Sequence, residues 1–114
     1  MKDGFLKVAA VTPDIRVADV AYNTDQICAL IDETVENGAK VVVFPELCVT
    51  GYTCGDLFTQ DVLLEDAREG ILKLAEHTKG KDALIFAGAP LTVDGELYNV
   101  AAAFNRGRIL GFTT

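Results

Sequence analysis

The sequence predicts an α/β fold: a β-α-β-α-β unit with its first three strands parallel, running into an antiparallel meander. Three observations carry this. The short runs 41–44 and 83–89 are apolar throughout, and the first is rich in β-branched residues, the pattern of buried strands. Two longer stretches precede these runs and repeat their apolar residues at helical spacing. Beyond Pro90 the pattern changes, and Asp94-Gly95 and Asn105-Arg106-Gly107 mark tight turns between short strands.

Each element has its own signal. Residues 5–11 alternate loosely and stop at Thr12-Pro13, which makes a first strand. The first helix begins near Asp19 or at Asn23, where Asn23-x-x-Gln26 has the form of a capping box. Its apolar stripe runs through Val20, Ile27, Leu30, Ile31 and Val35 to the stop Asn37-Gly38, with Cys28 on the flank as a small core residue. Strand 41–44 follows.

A second helix spans residues 61–79, with Leu64, Ala67, Ile71, Leu74 and Ala75 on one face, Glu69 and Lys73 as an exposed i,i+4 pair, and Gly80 as its stop. His77, the only histidine, falls opposite the stripe and reads as a solvated surface side chain rather than a base. A third buried strand ends at Pro90, followed by strands 91–93, 97–104 and 108–112. No internal repeat or low-complexity segment interrupts the series.

Composition narrows the function. Half of the 114 residues are hydrophobic and 24% are charged, an ordinary globular balance. The net charge of −7, with ten basic residues spread singly, offers no patch for nucleic acid. No apolar run approaches the roughly 18 residues of a spanning helix, and the N-terminus lacks a signal-peptide core. Cys28, Cys48 and Cys54 lack metal-ligand spacing and read as reduced thiols, which points to a cytoplasmic protein.

The stretch with most chemical content is Phe44-Pro45-Glu46-Leu47-Cys48-Val49-Thr50-Gly51-Tyr52. Pro45 ends the strand ladder and sets the direction of the next side chain. Glu46 therefore emerges at the carboxyl end of a strand, where open α/β sheets place their ligands. On burial statistics alone such a glutamate is a solvated loop residue.

Phe44-Pro45-Glu46 with Thr50-Gly51-Tyr52 resembles the first signature of the nitrilase (carbon–nitrogen hydrolase) superfamily. Ala10-Val11-Thr12-Pro13, Val17-Ala18-Asp19-Val20, Asn23 and Cys54-Gly55-Asp56-Leu57-Phe58 are similar to the glutaminase domain of glutamine-dependent NAD⁺ synthetases. Ala87-Gly88-Ala89-Pro90, Tyr98-Asn99-Val100-Ala101 and Gly107-Arg108-Ile109-Leu110-Gly111 continue that pattern. The resemblance covers essentially the whole chain but only the front of the family's domain.

It implies a nitrilase-like α-β-β-α sandwich, with residues 1–114 as the N-terminal portion of a glutaminase domain. The rest of that domain and a C-terminal synthetase domain are expected beyond Thr114. Two helices cover only one face of so apolar a sheet, which agrees with a domain that continues.

The family hydrolyses glutamine with a Glu-Lys-Cys triad, and the resemblance makes Glu46 the general base. The base is needed because a thiol near pKa 8.5 is mostly protonated at neutral pH. The resemblance also places Tyr52 in the glutamine pocket; its plain alternative is a tyrosine packing the turn. The family's lysine and nucleophilic cysteine match nothing in this chain: Lys40, Lys73, Lys79 and Lys81 do not occupy that motif, nor do the three cysteines. The 114-residue stretch alone is therefore expected to be inactive.

By the same resemblance the intact enzyme passes ammonia from glutamine to an ATP- and Mg²⁺-dependent domain that amidates deamido-NAD⁺. No cofactor is expected in this segment, nucleic acid and membrane are not expected partners, and a homo-oligomer is. Three alternatives stay open. One is a stand-alone amidase or carbamoylase of the same superfamily, against which Gly55-Asp56-Leu57-Phe58 argues. Another is a non-catalytic binding module, which lacks any phosphate-binding glycine motif. The third is a self-contained Glu46/Cys48 pair, which lacks a local cation.

Overall fold

The computed structural model describes residues 4–114 and contains a five-stranded mixed sheet with two helices. In chain order the elements are β1 (Val8–Ala10), α1 (Val20–Glu36), β2 (Val41–Val43), α2 (Asp61–His77), β3 (Leu84–Val93), β4 (Glu96–Asn105) and β5 (Arg108–Thr113). A short 3-10 turn, Gly55–Thr59, precedes α2. The strands lie side by side in sequence order, β1, β2 and β3 parallel and β3, β4 and β5 antiparallel, as the sequence predicts.

Both tight turns form as their sequences require. Asp94 and Gly95 have φ of 52° and 80°, and Arg106 and Gly107 have φ of 50° and 84°. Two successive positive φ values give the primed turn whose twist matches the flanking strands.

The core lies between one sheet face and the two helices. Val42, Ile85, Ala87, Ala102 and Phe104 pack against Ile27 and Ile31 of α1 and Ala67, Ile71 and Leu74 of α2. The helices meet at Gly70, where an added Cβ would stand 2.8 Å from Val20 Cγ1. The opposite sheet face carries Val8, Val43, Leu84, Phe86, Ala101 and Ala103 by register, and Val43 is 45% exposed. No helix among the described residues is long and apolar enough to cross a membrane.

Three local readings are corrected, and of the two starts left open for α1 the first holds. Asp19 caps α1, accepting from the Tyr22 amide, whereas Asn23 is buried inside the first turn. Asn23 accepts from Arg16 N and donates to Arg16 O and Val49 O, pinning the entry loop to the segment after β2. Lys73 pairs with Asp25 and Thr24 across the helix interface rather than with Glu69, because the neighbouring helix offers a carboxylate as well as a hydroxyl. His77 is no free surface residue: its Nε2 stands 2.8 Å from Asp32 Oδ1 on α1. Finally, β3 runs through Pro90 to Val93 as one strand. Its pairing with β2 spans only Leu84 to Phe86, so at residue 90 β4 alone lies beside it and the missing N–H is tolerated as on an edge.

Candidate active site around Glu46

The chain leaves the ladder at Phe44, whose amide donates to Phe86 O, and rejoins it at Val49, whose amide donates to Gly88 O at 3.1 Å. Between them the backbone folds into a tight turn, with Cys48 N donating to Pro45 O and Gly51 N to Leu47 O. Leu47 takes a positive φ of 53°, which costs an ordinary L-residue about 1–2 kcal/mol. Burial of its side chain offsets that strain.

Glycine at position 88 is what lets the turn sit down on the sheet. A Cβ there would stand 2.4 Å from Leu47 N, 2.7 Å from Pro45 O and 2.9 Å from the Glu46 carbonyl carbon. Because Ala87 and Ala89 face the helices, the Glu46 turn lies over the helix-free face.

Glu46 opens into a cavity of about 290 Å³ lined by Phe44, Pro45, Gly88, Asn99, Ala101 and the end of β5 at Thr113 and Thr114. Its carboxylate accepts a hydrogen bond from Asn99 Nδ2 on β4. Among the described residues, no lysine and no cysteine lines this cavity. The lysines singled out above are engaged elsewhere: Lys40 with Asp82, Lys73 with Asp25, Lys79 with Glu76 and Lys81 with Asp32. A roomier cleft of about 450 Å³ between the start of α1 and α2 is lined by Asp19, Asp66, Glu69 and the paired Lys73, and shares no residue with the Glu46 cavity.

Cys48 does not form a catalytic pair with Glu46. Its side chain is buried, its Sγ lies 3.7 Å from Gly88 O, and burial pushes the thiol up to about 11. Cys28 and Cys54 are likewise buried free thiols. Tyr52 is 66% exposed in the turn that follows Gly51; it does not pack the turn, and it is not among the residues lining the Glu46 cavity. Asn99 is the site residue that sequence reasoning did not single out. The signal was its place in Tyr98-Asn99-Val100-Ala101; its role needed the β3–β4 register to be seen.

The glutamine-dependent NAD(+) synthetase of Mycobacterium bovis is 33% identical over 108 residues, 95% of this chain and 16% of that protein. The synthetase of the same description from Xylella fastidiosa is 36% identical over 106 residues, 92% of this chain and 19% of that protein. Among solved structures, the glutamine-dependent NAD(+) synthetase of Cytophaga hutchinsonii superposes with a TM-score of 0.87 at 28% identity, covering 94% of this chain and 18% of that one. An amidase from Nesterenkonia shares the fold at a TM-score of 0.81 and 19% identity. The chain thus spans less than one-fifth of the length of these synthetase relatives. Residues 7–113, all but the two ends, match the carbon-nitrogen hydrolase family, and to that family the chain belongs.

Proposed function

We propose that this chain is the front part of the glutaminase domain of a glutamine-dependent NAD⁺ synthetase, with Glu46 as general base. The observation that carries the reading is the cavity that Glu46 shares with the end of β5. In this reading the domain continues past Thr114 from the wall of that cavity, where the family's lysine is expected to follow the last strand. In this reading Glu46 takes the proton of a cysteine thiol supplied by later sequence. The thiolate attacks the side-chain amide of glutamine, and the lysine stabilises the oxyanion. A positioned base contributes about 10²–10⁴-fold to such a step, and a fixed cation contributes by preorganised electrostatics. Tyr52, exposed in the turn after Gly51, contributes an aromatic wall to the glutamine pocket once the domain is whole.

The domain reading has its own support. The helix-free sheet face is apolar, and the later part of the same domain, the second sheet of the sandwich, is its occupant in this proposal. Residues 1–114 alone then hold no complete triad and turn over no glutamine. A synthetase domain beyond it uses ATP and Mg²⁺ to amidate deamido-NAD⁺ with the released ammonia. The free thiols fit a cytoplasmic enzyme, and the family's habit of assembly supports a homo-oligomer.

The test uses the full-length gene product. With glutamine, ATP and deamido-NAD⁺ it should form NAD⁺ and glutamate, and Glu46→Gln should abolish the glutamine-dependent route while free ammonia still supports synthesis. Hydrolysis of simple amides with no ATP-dependent step would instead mark a stand-alone amidase. No turnover of any amide would leave a binding module.

A further inference from the structure

We propose that Asn99 is a positioning residue that fixes the Glu46 carboxylate for proton transfer; the inference rests on the reading of Glu46 as general base. Asn99 Nδ2 donates to Glu46 Oε1, and this is the only side-chain hydrogen bond that either residue makes among the described residues. The other oxygen, Oε2, is left free for the proton it must accept. A neutral amide suits this task better than a cation. An ammonium or guanidinium at the same place would stabilise the carboxylate charge and blunt its basicity, whereas an amide orients it with a smaller electrostatic effect.

Asn99 is itself well held. It lies opposite Pro90 in the β3–β4 ladder, two residues from the Gly88–Ala101 pair that underlies the Glu46 turn. The carboxylate and its donor are therefore mounted on adjoining parts of one sheet. Both side chains are exposed and lie outside the core between the sheet and the two helices. Removing the amide should disturb orientation without disturbing the fold.

The experiment compares Asn99→Ala, Asn99→Asp and Glu46→Gln in the full-length protein. Asn99→Ala should lower kcat for glutamine hydrolysis about 10- to 100-fold, the scale expected of a misplaced catalytic group, with KM and the thermal midpoint nearly unchanged. Asn99→Asp keeps the shape but, when ionised, offers no donor and adds a like charge. Its deficit relative to wild type should shrink as pH falls from about 8 toward about 4, because the Glu46 carboxylate beside it raises the new carboxyl above its ordinary value near 3.9 and a protonated aspartic acid can donate where the amide did. A kcat for Asn99→Ala equal to wild type, or an Asn99→Asp deficit independent of pH, overturns the proposal. Glu46→Gln separates the two levels. If it keeps glutaminase activity, the general-base reading falls and this inference with it. If it is inactive while Asn99→Ala is not, only the positioning role falls.

Discussion

Gly88 of β3 lies directly beneath the backbone of Glu46, so close that a Cβ at 88 would stand 2.9 Å from the Glu46 carbonyl carbon. Backbone atoms, not a flexible side chain, occupy the space a methyl group would need. The turn that aims the carboxylate is thus seated on a bare strand.

Gly88→Ala should therefore lift the turn and cost about 1–3 kcal/mol of stability, as overpacking does. Glutamine hydrolysis by the full-length protein should fall further than stability alone explains, because Glu46 moves relative to Asn99. Thermal melts with steady-state kinetics on one preparation would separate the two effects. Wild-type values for both would contradict the close approach.

Asp32 of α1 meets His77 at the end of α2 and Lys81 just beyond it, at 2.8 Å and 3.0 Å. Burial alone would raise its carboxyl, but hydrogen bonds from Lys81 and His77 outweigh burial and hold it below its ordinary value. A carboxyl held low in the folded state adds stability above the unfolded value near pH 4, and loses it as acid protonates the group. Asp32 is half exposed, so solvent screening keeps the effect to about 0.5 kcal/mol. Asp32→Asn should melt slightly lower than wild type at neutral pH and coincide with it in strong acid.

Cys48 should resist alkylation in the folded protein. With its thiol pushed up to about 11 by burial, only on the order of one molecule in a thousand carries the thiolate at about pH 8, and the sulfur is enclosed as well. Iodoacetamide labelling followed by peptide mass mapping should show Cys48 modified only after denaturation. Rapid native labelling at Cys48 would revive it as a nucleophile.

The helix-free face gives a paired test of the domain proposal. Val43 lies on that face and is 45% exposed, while Val62 on α2 is 74% exposed. In the full-length protein Val43→Asp should cost more than about 2 kcal/mol, because it buries a charge beneath the second sheet. Val62→Asp should stay within about 0.5 kcal/mol. Equal, small effects would mean that the face is never covered.

Much of this architecture was legible in the sequence because its signals are local. Asp94-Gly95 and Asn105-Arg106-Gly107 dictate turns through backbone sterics alone, and the Val41–Val43 run has no polar face to offer solvent. The position of Glu46 followed from the end of that run and Pro45. What escaped was tertiary. Asn23 satisfies a capping pattern, yet its decisive bond reaches Val49, 26 residues away. Along their own helix Lys73 and His77 face away from its apolar stripe, but their partners lie on α1. Asn99 was invisible as a partner of Glu46 for the same reason: they are 53 residues apart, with α2 and β3 between them.

The turn at Asp94-Gly95 has a consequence for what insertions the protein can tolerate. With only those two residues between β3 and β4, it leaves the ladder no slack, and side chains alternate between faces every residue. One extra residue there, retained as a shift of β4 past β3, would turn Asn99 toward the helices and bring Tyr98 or Val100 to the carboxylate. A hairpin tip that touches no reacting group thus acts as a gauge for the site, and a length change there is as consequential as a substitution at Asn99 itself.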